Sequence, residues 1–300
     1  MNAIQSTLST ALAGNPCVVG FTIALTSALL LSADPLFIRF AEVASADATF
    51  LFGLFTALSM SGLLQFTDKR GVVGAVKASG WPLLITALLM VGSASSMVFS
   101  VLHTSIANST LIRGATPAMA AVISWLVLGE VAKRSTWLAM AGVMLGIAIV
   151  VSGSLANGQS GHWQGDLVAL VSVLCLGLMF TLMRKYQQIS RLANVGLGGL
   201  FIALLMLPFA DPASYSLETW LIMAAMGLFS APLGRVLSLV ATRYITAAEV
   251  SLSMMLTTVL SPLWAYLVFA ERPSLNSLLG GALIISTMLI YTLSQLRSHK

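Results

Sequence analysis

The chain has 300 residues, 58% of them hydrophobic and only 8% charged, with a formal net charge of +5. Soluble globular domains are about 25% charged, so that class is excluded. Barrel strands are excluded too, because they run to about 10 residues and alternate in polarity, whereas residues 135 to 165, 192 to 210, 250 to 270 and 273 to 296 carry hardly a charge and read as uninterrupted apolar runs. What remains is an all-α integral membrane protein.

Ten apolar stretches follow in chain order, each near the roughly 20 residues that cover about 30 Å as helix. They are expected at about 20–40, 48–66, 80–101, 104–128, 137–153, 165–183, 194–210, 219–240, 246–269 and 277–296, and are numbered spans 1 to 10. The first 20 residues hold no early Lys or Arg and run into a span-length apolar segment, so no cleaved leader is expected.

Span 1 contains Asp34 followed by Pro35. Proline removes a backbone donor and disturbs the helix near Leu31, freeing a carbonyl that must find another partner. Asp34 is therefore read as a substrate or ion contact, or as a tie to Arg113 or Arg39; Arg39 itself lies close enough to the span end to reach lipid headgroups. Only a tight turn at Leu102 and His103 separates spans 3 and 4, so those two must be antiparallel neighbours. In span 4, Asn108 stands near the start and Arg113 roughly 14 Å deep, counting about 1.5 Å per residue. At that depth a guanidinium cannot easily snorkel, so Arg113 should face the bundle interior as a ligand group or gate, or pair with a carboxylate or carbonyl. Pro117 can bend span 4, and Glu130 closes it. Gly142 and Gly146 form GxxxG in span 5, which is read as close helix packing.

The longest connection, 154–164, divides a first unit, 1–153, from a second, 165–300. In the second unit Arg235 lies near the end of span 8 and Glu249 near the start of span 9, where the turn could pair them as a gate or a strut. Pro262 can bend span 9, Trp264 beside it is a cavity candidate, Tyr266 faces either cavity or lipid, and Glu271 closes the span.

The two units share their punctuation. Residues 104 to 135 and 245 to 274 align so that Ala107-Asn108 and Ala248-Glu249 each stand 22 residues (130 − 108 and 271 − 249) before Glu130 and Glu271. Because each unit has an odd number of spans, the second must enter from the opposite side, which makes the repeats inverted and permits two mirror-related states around one central path. Lys69, Arg70, Lys77, Lys133, Arg134, Arg184, Lys185, Arg191, Arg243, Arg297 and Lys300 fall on one side. The positive-inside rule then puts both termini in the cytoplasm, and the net charge needs no nucleic-acid partner. Cys17 and Cys175 supply neither a disulfide framework nor metal spacing, and no P-loop or nucleophilic constellation accompanies Asp34 or Glu249, so no metal, cofactor or enzymatic activity is expected.

With two sets of five spans, span 4 ending "PAMAAVISWLVLGE" and span 9 ending "PLWAYLVFAERPS", the chain resembles the drug/metabolite transporter superfamily, specifically its EamA-type members. The resemblance covers almost the whole chain. It implies a metabolite carrier of the bacterial inner membrane, often an exporter, with a cavity lined by spans 1, 3, 4, 6, 8 and 9, and with Pro117, Glu130, Pro262 and Glu271 at positions that support structure or gates. Asp34, Arg113 and Arg235 match no general signature of the family, and Pro262 stands four positions later than the Pro117 register predicts. The expected function is alternating-access transport of a small polar metabolite, an amino acid or other carboxylate-bearing compound, since arginines outnumber acids among the candidates. Proton coupling through Asp34 or Glu249 is favoured over uniport or exchange. The expected partners are the solute and membrane lipid, with the chain a monomer or homodimer. The competing reading is a non-transporting membrane sensor or scaffold, which would need an output domain or a sizeable tail.

Overall fold

The computed structural model describes residues 16–68, 71–129, 134–156, 162–186, 188–241, 244, 253–254 and 256–298. Regular structure among them is entirely helical. Span 1 is split into Pro16–Ser32 and Asp34–Phe40, and span 4 into Ile106–Arg113 and Thr116–Leu128. Span 2 is Ser45–Thr67, followed by a short helix Gly71–Ser79; span 3 is Pro82–His103, span 5 Arg134–Ala156, span 6 His162–Lys185 and span 7 Arg191–Met206. Span 8 runs through Leu217–Ala224, a π-turn at Ala225–Ser230 and Ala231–Ala241; span 9 is Leu256–Phe269 and span 10 Leu275–Ser298. Among the described residues seven apolar helices are long enough to cross a bilayer, and three shorter apolar helices, Trp137–Gly153, Leu256–Phe269 and Leu275–Tyr291, occupy the places of spans 5, 9 and 10.

Side chains facing lipid and side chains facing protein are both apolar here, so helix association rests on close packing and buried hydrogen bonds. Glycine provides the packing. A Cβ on Gly199 would stand 2.8 Å from the Ala57 nitrogen, and one on Gly280 2.5 Å from the Gly146 carbonyl oxygen. The first contact joins span 2 to span 7 and the second joins span 5 to span 10. In both pairs the partners run antiparallel: Gly53 meets Ala203 while Gly196 meets Met60, and Gly142 meets Thr287 while Gly153 meets Asn276. Equivalent spans related by a two-fold axis in the membrane plane must be antiparallel, whereas an axis along the membrane normal would leave them parallel. The repeats are therefore inverted in the fold itself. Span 3 packs on span 6 as span 8 packs on span 1, and span 4 packs on span 6 as span 9 packs on span 1.

The symmetry reaches single hydrogen bonds. Gly20, Ala24, Leu25 and Ser27 recur as Gly165, Ala169, Leu170 and Ser172, an offset of 145 (172 − 27). The buried Ser27 hydroxyl donates to the Gly234 carbonyl at 2.6 Å, and its mate Ser172 donates to the Ser93 carbonyl at 2.7 Å. Gly234 and Ser93 are themselves mates at the offset of 141 (271 − 130) set by the closing glutamates. Gly129 (φ 69°) and Ala270 (φ 52°), also 141 apart (270 − 129), both end their spans in the left-handed conformation; only the second carries a Cβ, at a cost of about 1–2 kcal/mol. Gly199→Leu should overpack the span 2–span 7 seam and destabilise by about 1–3 kcal/mol. Its melting temperature in detergent should fall well below that of Gly62→Leu, because nothing lies within 4 Å of a Cβ on Gly62. Equal melting temperatures would show that the seam is loose.

Candidate functional site

The helix breaks place charge in the interior. Asp34 opens the second half of span 1 and Arg113 ends the first half of span 4, so each charge complements the dipole of its half-helix, acid at an N-terminus and base at a C-terminus. Pro35 removes the donor that would reach the Leu31 carbonyl, and the carbonyls on either side, Leu30 and Ser32, accept from side chains of two other spans. Ser230 of span 8 donates to the Leu30 carbonyl and to Asp34 Oδ1, both at 3.0 Å, and Ser261 of span 9 donates to the Ser32 carbonyl at 2.9 Å. Trp264 Nε1 donates to Ser32 Oγ at 3.0 Å. Trp264 thus sits against the break, whereas Tyr266 is 48% exposed on the outside of span 9.

Asp34, Arg113 and Arg235 are close enough to act on one another electrostatically. Arg113 Nη1 points to Ser172 Oγ at 3.4 Å. Arg235 Nη1 is buried and has no hydrogen-bond partner among the described residues. Among the described residues this group holds one carboxylate and two guanidiniums, an excess positive charge that is costly in a low-dielectric interior. Glu249, the expected partner of Arg235, lies outside the described residues; among those described, Asp34 is the acid whose charge acts on Arg235.

A second polar assembly closes one end of the bundle. Arg39 pairs with Glu271, donates through Nε to the Val101 carbonyl at 3.1 Å and through Nη2 to the Thr104 carbonyl at 2.5 Å. Glu271 Oε1 accepts the Ile106 N–H at 2.9 Å. A carboxylate on one helix thus satisfies a free donor at the start of another. Glu271, which follows the left-handed Ala270 at the end of span 9, takes its partners from spans 1 and 4. Arg39 turns inward for the same partners rather than towards headgroups. Glu130 lies outside the described residues, and Pro117 occupies the first turn of Thr116–Leu128, while Pro262 lies within span 9.

Thr104 links this assembly to a third group. Its hydroxyl donates to Asp166 Oδ1 at 2.7 Å, Asn108 Nδ2 reaches both Asp166 oxygens at 3.3 Å, and Ser277 donates to Asn108 Oδ1 at 2.5 Å. Asp166 has no exposed surface. In sequence it stands at the very start of span 6, three residues after Trp163, where nothing local marks it as buried; the Gly20–Gly165 register sets it four residues into a packed helix. Beside this end, Asp47 accepts the Tyr215 hydroxyl at 2.6 Å and the Asp211 N–H at 3.1 Å. Burial and the Asp47 carboxylate hold the Tyr215 phenol above its ordinary value, so it stays a donor through the physiological range.

The sequence profile of the EamA-like transporter family matches residues 18–152 and, a second time, residues 163–293. The chain belongs to the EamA-like transporter family. It is accordingly a multi-pass membrane protein of the drug/metabolite transporter superfamily, with the two-repeat architecture described above. A search of curated proteins found no match. A solved crystal structure 19% identical to this EamA-like chain, covering 94% of it and 99% of its own length, superposes with a TM-score of 0.62 and shows the same fold.

Within an EamA-like pair of repeats, comparison of mates separates two kinds of residue. Arg39 has Arg184 at its register position and Glu271 has Glu130. Asp34, Arg113 and Arg235 have Met179, Met254 and Ala94. A fold that accepts methionine or alanine at the mirrored positions does not need these three charges for packing.

Proposed function

We propose that this EamA-like protein is a secondary transporter that moves a small carboxylate-bearing metabolite by alternating access, with the Asp34–Arg113–Arg235 centre as its binding site. The observation that carries the reading is the buried Arg235 Nη1, without a hydrogen-bond partner among the described residues, which also supply a second guanidinium and one carboxylate there. A carboxylate ligand would balance the excess charge and accept the free donor, at about 1.5–3 kcal/mol for a charge-assisted hydrogen bond. A zwitterionic amino acid fits this arrangement, its ammonium facing Asp34. The asymmetry of the centre supports the same reading: a ligand has no two-fold axis, so residues that read it break the symmetry that the fold keeps.

The Arg39–Glu271 end is taken as the closed outer mouth, with both termini in the cytoplasm of a bacterial cell and net movement outward. Asp34 is the group proposed to carry a coupling proton, held in the ligand-free half of the cycle and given up when the ligand's ammonium arrives to face it. Titration of the purified protein with amino acids, monocarboxylates, uncharged amides and amines of similar size tests the site. Carboxylates should bind at least about tenfold more tightly than their amides; preference for amines or amides would reject it. A non-transporting sensor would bind without moving its ligand.

A further inference from the structure

We infer that the seven-residue half-helix Asp34–Phe40 is a lever that couples the central charged site to the Arg39–Glu271 closure, and that Ser261 and Trp264 are the positioning residues of its fulcrum. This rests on the transport reading above, but its geometry is independent of the ligand's identity. Asp34 begins the half-helix and Arg39 stands five residues on, about 7.5 Å along the same rigid element. One end is held by Ser230 and by the charge of Arg235, the other by Glu271 and the carbonyls of Val101 and Thr104. Between the end of Pro16–Ser32 and the start of the half-helix lies Ala33, whose φ of −85° and ψ of −15° keep the helical course, so the junction is a bend rather than a loop.

The fulcrum is built rather than incidental. Ser261 holds the Ser32 carbonyl, Trp264 holds the Ser32 hydroxyl and Ser230 holds the Leu30 carbonyl, so the helix can break there with those polar groups satisfied. None of this exists in the other repeat. The mates of Ser32, Pro35, Ser230, Ser261 and Trp264 are Gly177, Phe180, Leu89, Ala120 and Ile123, and span 6 is one unbroken helix from His162 to Lys185. The fulcrum is one-sided: among the described residues, span 6 has no counterpart of the break or of its clamps, so this lever serves the Glu271 end.

A double-mutant cycle on the full chain tests this without ligand. With Cys17 and Cys175 changed to Ser, spin labels at Ala44→Cys and Arg272→Cys report the width of the Glu271 mouth, since both positions are exposed. Asp34→Asn and Arg39→Gln should each raise the open-to-closed ratio. If both ties hold one rigid body, the double variant should fall short of the product of the two single effects by at least about twofold. Independent, multiplicative effects would overturn the lever. Ser230→Ala replaces Asp34→Asn should the latter fold poorly, and Trp264→Phe, which removes only the fulcrum donor, should bring the cycle closer to multiplicative. Failure of every carboxylate to bind would reject the proposed function and leave this result standing.

Discussion

Arg235→Gln should weaken carboxylate binding by about 10- to 100-fold, the equivalent of one charge-assisted hydrogen bond in a site shielded from water. The substitution keeps a donor and much of the stem but removes the charge and the fork of the guanidinium. Because Arg235 Nη1 has no protein partner among the described residues, its loss breaks no observed hydrogen bond within the fold. Melting temperature should therefore change little, since Arg113 remains to act on Asp34 when the buried Arg235 cation is removed. The mirrored position already carries Ala94, evidence that the packing tolerates a neutral side chain at that place. Isothermal titration and thermal melting of the same preparation check both halves of this expectation. A large fall in stability with unchanged affinity would make Arg235 a structural residue.

Glu271→Gln should do the reverse. The pair is only partly exposed, 23% for the Arg39 side chain and 16% for Glu271, so it lies between a surface ion pair and a buried one, and its loss should cost about 1–3 kcal/mol. An amide can still accept the Ile106 N–H, whereas the charge that holds Arg39 is gone. Arg39→Ala should cost more, because the carbonyls of Val101 and Thr104 then lose their donors. In both variants the transport rate should fall while affinity stays within a few-fold, since neither residue belongs to the central charge group. Initial rates and direct titration on matched protein separate the two quantities; a selective loss of affinity would move Glu271 into the binding site.

Much of the fold could be read from the chain because it follows from composition and from spacing. Apolar length places the helices, an odd number of spans per unit makes the repeats inverted, and Pro35 announces both the break in span 1 and the need for new partners at its carbonyls. The partners themselves could not be read. Ser230 and Ser261 are separated from the break by about two hundred residues, and nothing local marks a membrane serine as a clamp rather than a helix-internal donor. Asp166 was hidden for a related reason: a carboxylate at the first turn of a span looks solvent-facing until Thr104 and Asn108 are brought to it. Arg39 shows the limit of depth counting, since a long side chain near a span end can reach headgroups or turn inward, and only the position of Glu271 decides. The register of the two repeats carried more than single residues did, because it distinguishes what the fold repeats from what one site alone requires.

The most direct measurement is counterflow in proteoliposomes containing only this protein. Vesicles preloaded with the tightest-binding carboxylate should accumulate the labelled compound from outside transiently above equilibrium, and Arg235→Gln should abolish that accumulation at equal protein incorporation. Binding without any protein-dependent accumulation would contradict the account and leave a membrane receptor in its place.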